Sequence, residues 1–189
     1  MDPLEPYYQI VSGICGVAVT LFDAFCYVLW IRPFVRPDIF GRAVWTGIAY
    51  AAVMIFLQQM PFFIPNVLAY GIGDFAAFLV MCLMDRKNPG QKVFLAVTFF
   101  CMRWQSWEVW VEATTWLYQE LVFFLLSTEG HASLPKLYVL ATESYEFWFY
   151  VYIAERIFSM ILGAVLMYGA VRLMLRVYSG TEAHMKGKE

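Results

Sequence analysis

The stretch YQIVSGICGVAVTLFDAFCYVLWI, residues 8–31, decides the fold. Its one charged residue is Asp23. A helix rises about 1.5 Å per residue, and about 20 mostly apolar residues cross the roughly 30 Å of bilayer hydrocarbon. The stretch therefore reads as a membrane span. Asp2 and Glu5 precede it, with no Lys or Arg. A cleavable signal peptide opens on a positive region and carries a shorter apolar run. The first span is thus expected to remain as an anchor.

Four more stretches read the same way. Residues 43–60 carry no charge and end in Gln58-Gln59. Residues 62–84 enclose Asp74. Residues 93–111 hold Arg103 near their middle, and residues 147–171 enclose Glu155 and Arg156. The expected fold is all-α, a polytopic transmembrane helical bundle of about five spans. Residues 1–178 form the membrane domain and 179–189 a cytoplasmic linker or tail. Between the fourth and fifth spans, Ala113 to Leu126 is apolar but short and contains Glu120. It reads as an interfacial helix or an outer extension of the fourth span, with a sixth span as the alternative. Gly130 and Pro135 mark a loop after it.

Composition agrees. Apolar residues make up 61% of the chain and charged residues 15%, where soluble domains average about 45–50% and about 25%. A net charge of −2 gives no reason to expect nucleic acid as a partner. Cys15, Cys26, Cys82 and Cys101 sit in apolar runs without C-x-x-C spacing and read as small hydrophobes, not metal ligands. There is no internal repeat.

Ten of the 13 Lys and Arg residues fall in three segments: Arg32, Arg36 and Arg42; Arg86, Lys87 and Lys92; Arg172, Arg176, Lys186 and Lys188. The opposite side holds Asp2, Glu5, Glu112, Glu120, Glu129, Glu143 and Glu146, with Lys136 alone among the bases. Cytoplasmic loops carry the Lys/Arg excess, so the amino terminus is expected outside and the carboxyl terminus in the cytoplasm. A sixth span would put the basic tail on the wrong side. Tyr7, Tyr8, Trp30, Trp45, Trp107, Trp110, Trp116, Trp148 and Tyr178 fit interfacial belts.

Charges at membrane depth cost roughly 2.5–3.5 kcal/mol each on insertion scales, so they face the bundle interior and pair. Asp23, Asp74, Arg103, Glu155 and Arg156 are such groups. Matching depths predicts Arg103 with Glu155 and Arg156 with Asp74. This network is either structural glue, a switch that changes partners on signalling, or a transport path. Glu108 and Glu112, one helical turn apart, share a face. With Glu143, Glu146, Trp107 and Trp110 they form a candidate outer ligand face, read either as a solvated rim or as an attractor of cationic ligands.

Enzyme motifs are missing: no H-E-x-x-H, no G-x-S-x-G, no P-loop. His131 and His184 fall on opposite sides of the expected membrane. No cofactor or catalytic residue is expected.

The segment Asp85-Arg86-Lys87-Asn88-Pro89-Gly90-Gln91-Lys92-Val93-Phe94-Leu95-Ala96-Val97-Thr98-Phe99-Phe100, followed by Arg103-Trp104, resembles the sensor region of Gram-positive receptor histidine kinases with a GHKL-type ATPase, relatives of the peptide-pheromone receptors. The ending Glu182-Ala183-His184-Met185-Lys186-Gly187-Lys188-Glu189 is similar to their linker E-x-x-M-x-x-K-E. The resemblance implies a bacterial plasma-membrane sensor of a two-component system, an extracellular peptide ligand and a homodimer. The sequence holds neither dimerisation helices nor an ATP-binding domain, so the expectation is a sensor module without its own kinase core. The alternative is a small transporter or its substrate-binding subunit. A structural protein without a ligand is the third reading.

Overall fold

The computed structural model describes residues 5–34, 40–60, 64–84, 88–127 and 132–178. Its main helices are α1 Glu5–Ile31, α2 Phe40–Gln58, α3 Asn66–Met84, α4 Pro89–Leu126, α5 Pro135–Glu143 and α6 Tyr145–Tyr178, with a 3-10 turn at Arg32–Phe34. No strand occurs among the described residues. Phe62, Arg36, Arg86, Lys87, Glu129, His131 and the whole 179–189 tail, with His184, Lys186 and Lys188, lie outside them, as do the side chains of Arg42 and Glu143.

The helix ends follow from local chemistry. α2 tightens as it stops: the Gln59 N–H donates to the Phe56 carbonyl at 3.1 Å and the Met60 N–H to the Leu57 carbonyl at 3.3 Å. Pro65 then stands just before α3, where a missing N–H costs the helix nothing. Asn88 adopts a left-handed backbone (φ 51°, ψ 59°) ahead of Pro89, a conformation Asn tolerates better than most residues. α6 has Glu146 in its first turn and Arg176 in its last, both complementary to the helix dipole.

The five long helices close a ring. α1 packs on α2 and α6, α2 on α3, α3 on α4, and α4 on α6. Trp30, Phe34, Phe94 and Tyr178 meet edge to face at one end, where the Trp30 indole donates to the Leu95 carbonyl at 3.0 Å. That end joins the carboxyl termini of α1 and α6 to the start of α4, and is the basic end. Tyr8 meets Phe149 and Tyr152 at the opposite end.

The ring interior holds polar groups among its apolar core, and the outside of the ring is apolar. Thr20, Asp23, Thr46, Asp74, Arg103, Ser106 and Ser159 are buried, around an aromatic cluster of Tyr27, Tyr50 and Phe99. Large apolar side chains stand exposed along every long helix, for example Ile14 and Phe25, Ile48 and Phe56, Phe75 and Leu83, Val97 and Val109, Ile161 and Val165. Water-soluble monomers do not present such a continuous apolar girdle, whereas a bilayer solvates it.

Three helical stretches are long and apolar enough to cross a membrane: Pro6–Phe34, Asn66–Met84 and Glu146–Tyr178. Ala43–Gln58 is a shorter apolar helix. α4 falls below that standard because Lys92, Arg103, Glu108, Glu112 and Glu120 lie along it. With 38 residues it runs about 57 Å at 1.5 Å per residue. Residues 113–126 continue it unbroken, so this segment extends the fourth helix and is not a separate helix. α5 packs beside α4 and α6, where the Trp148 indole donates to the Ala141 carbonyl at 2.8 Å.

Candidate functional site

The register of α4 against α6 places the charges. Ser106 Oγ approaches Met167 Sδ at 3.9 Å, and the Gly163 backbone lies against the Trp110 ring. The two helices are antiparallel, so the α6 level opposite Arg103 falls near Ala170. Glu155 is then displaced along the axis by about 22 Å at 1.5 Å per residue. The expected Arg103–Glu155 pair therefore does not form. Arg103 pairs instead with Asp23 of α1, Nε to Oδ2 at 2.5 Å, both side chains almost fully buried. The guanidinium also lies 4.5 Å from the Tyr70 ring centroid and 5.9 Å from that of Trp107, a cation–π setting that favours keeping the charge in place.

The expected Arg156–Asp74 pair fails for the same reason. Arg156 lies toward the Tyr8 end, 3.5 Å from its neighbour Glu155 and 5.1 Å from the Tyr152 ring centroid. Asp74 stays buried in α3, within electrostatic range of both Asp23 and Arg103. Among the described residues neither of its carboxylate oxygens has a hydrogen-bond partner, nor do the hydroxyls of Tyr27 and Tyr50. The five ionisable groups thus divide into a buried cluster of Asp23, Asp74 and Arg103, and a separate, partly exposed pair of Glu155 and Arg156.

Between these levels lies a cavity of about 790 Å³. Its floor is Arg103 and Thr20, and it extends toward the end where α1 and α6 begin and α2 stops. Aromatic walls come from Tyr8, Tyr70, Trp107, Trp110 and Tyr152, and amides from Gln9, Gln58, Gln59 and Asn66. The Gln58 amide donates to Thr20 Oγ1 at 2.9 Å, which ties α2 to α1 across the wall. The volume falls within the roughly 300–1,000 Å³ of small-molecule sites, and the mix of aromatic walls with a few polar groups is typical of them.

The candidate outer ligand face separates into two surfaces. Trp107 and Trp110 line the cavity, while Glu108, Glu112 and Glu146 are exposed and absent from its lining. Glu108 instead accepts a hydrogen bond from the exposed Trp104 indole at 2.9 Å. Among the described residues the lining carries two arginines and no carboxylate. The signal for this division was present in helical spacing: Arg103, Trp107, Trp110 and Thr114 recur on one face of α4, and Trp104, Glu108 and Glu112 on another. Tyr70, Tyr152 and Ser159 gave no such signal, because they join the site only through the ring closure. Among the described residues no group of three His, Cys, Asp or Glu is placed to hold a metal ion.

No family model, curated protein or solved structure matches the chain.

Proposed function

We propose that the chain is a receptor module of the plasma membrane that binds an extracellular signal in this cavity. The observation that carries the reading is the cavity itself, a large aromatic and amide-lined space whose floor includes Arg103, the arginine paired with buried Asp23. In this reading five helices span the bilayer, α1 to α4 and α6. The apolar girdle on all five supports that count, and the basic end faces the cytoplasm by the Lys/Arg rule. The cavity then opens outward. The similarity to GHKL-type receptor kinase sensor regions adds a bacterial setting, a peptide-sized ligand and a homodimer.

The floor supplies a route for coupling. Arg103 on α4 holds Asp23 on α1, and Asp74 on α3 is a second buried carboxylate without a hydrogen bond. A ligand that reaches Arg103 alters the competition between these two acids, and the helices bearing them end at the basic face. A ligand acts as a signal only through differential affinity for two such arrangements.

The test is thermal unfolding of the chain in nanodiscs against fractions of bacterial culture medium. A ligand at ~100 times its Kd stabilises by about 2.7 kcal/mol. The expected result is a stabilising fraction whose effect vanishes in Trp107→Ala. Stabilisation that survives Trp107→Ala and Gln58→Leu places binding elsewhere and overturns the assignment. A small transporter is the second reading, favoured by Asp74, since unpaired acids at membrane depth mark ion paths. Uptake into proteoliposomes driven by a proton gradient and abolished in Asp74→Asn would replace the receptor reading.

A further inference from the structure

At the outer level of the cavity, Arg156 Nε and Ser159 Oγ are donors without a hydrogen-bond acceptor among the described residues. Arg156 and Ser159 sit three residues apart on α6 and therefore share a face, and both line the cavity. Ser159 is 2% exposed and its Oγ has no hydrogen-bond partner. Arg156 Nε has none either among the described residues, where its ion-pair neighbour is Glu155, adjacent in sequence at 3.5 Å. Arg103, about 20 Å deeper along the axis at 1.5 Å per residue, supplies the other cation. The amides of Gln9, Gln59 and Asn66 add donors near the mouth. Buried donors are normally satisfied, and a guanidinium fork matches carboxylate, sulfonate or phosphate geometry.

We infer that the cavity binds an anionic amphiphile, its acid group held by Arg156 and Ser159 and its apolar or aromatic body directed down the walls of Trp110, Trp107 and Tyr70 toward Arg103. This rests on the receptor reading and narrows its ligand class. It also replaces the cationic ligand that the acidic residues of the sequence suggested, because Glu108, Glu112 and Glu146, the described acids among them, are absent from the cavity lining. The acid group belongs either to a free extracellular solute or to a phospholipid headgroup of the outer leaflet.

A matched probe pair tests it: anilinonaphthalene sulfonate, and phenylnaphthylamine, which has the same aromatic body without the sulfonate. Titration uses tryptophan-to-probe energy transfer in phosphatidylcholine nanodiscs, with protein-free discs as baseline. The expected result is saturable sulfonate binding, weakened about tenfold, ~1.4 kcal/mol, by Arg156→Gln, restored by Arg156→Lys and reduced by Ser159→Ala. The neutral probe is expected to bind more weakly and without regard to Arg156. Circular dichroism and gel filtration certify that each variant is folded. Equal affinity for both probes, or sulfonate binding unchanged in Arg156→Gln, overturns the anion assignment while leaving a ligand cavity. Saturable binding of neither probe overturns the receptor reading with it. Repeating the titration with phosphatidylglycerol in the discs separates the two sources. Displacement of the sulfonate assigns the site to a lipid headgroup, and persistence assigns it to a free solute.

Discussion

Asp23 and Arg103 form a charge pair taken wholly out of water. Such a pair gains little over an apolar substitute, but breaking it strands a buried charge. Asp23→Asn is therefore expected to destabilise by about 3–5 kcal/mol, read as loss of folded protein in a detergent melt. Arg103→Met alone should cost a similar amount. The double variant Asp23→Asn/Arg103→Met should recover most of the loss, and additive single effects would show that the two side chains do not interact. That both residues sit inside the bundle was legible in the sequence, because charges in apolar runs have nowhere else to go. Which acid meets Arg103 was not legible. It depends on how far α6 slides along α4, and no single residue records that offset.

At the scale of the helix, close contacts set this geometry. A Cβ added at Gly47 would lie 2.6 Å from Val28 Cγ2 and 3.0 Å from the Ala24 carbonyl oxygen, whereas one at Gly13 meets nothing within 4 Å. Small residues let helix backbones approach in membranes. Gly47→Ala is expected to lower stability by about 1–3 kcal/mol through overpacking of α1 on α2. Gly13→Ala should be neutral or slightly stabilising, as Ala is the better helix former. Equal melting temperatures for the two would contradict that packing. The α4–α6 register has its own test. Ser106→Cys with Met167→Cys should form a disulfide under mild oxidation, and Arg103→Cys with Glu155→Cys should not. The reverse would restore the pairing expected from matched depths. Four helix cores were readable from hydrophobic runs, and α4 was readable from its apolar half. The continuation of α4 through Leu126 is not readable from the sequence as against a separate element, because Glu112 and Glu120 interrupt the apolar pattern without breaking the helix.

For the whole molecule, on the proposed topology, polar groups lie inside the ring, apolar groups face lipid, and the cavity opens outward. The native cysteines report on all three. Cys15 lines the cavity, Cys26 is buried, and Cys101 is exposed beside Phe100 on the girdle. Thiols react as thiolates and need water to ionise, so a thiol facing lipid is inert to a charged reagent. The decisive measurement is labelling of intact cells with a membrane-impermeant, charged methanethiosulfonate. Labelling of the wild-type protein from outside, abolished by Cys15→Ser and unchanged by Cys101→Ser, is the predicted result. Labelling that persists in Cys15→Ser, or that occurs only in inverted vesicles, would contradict an outward-facing cavity within a membrane-embedded bundle.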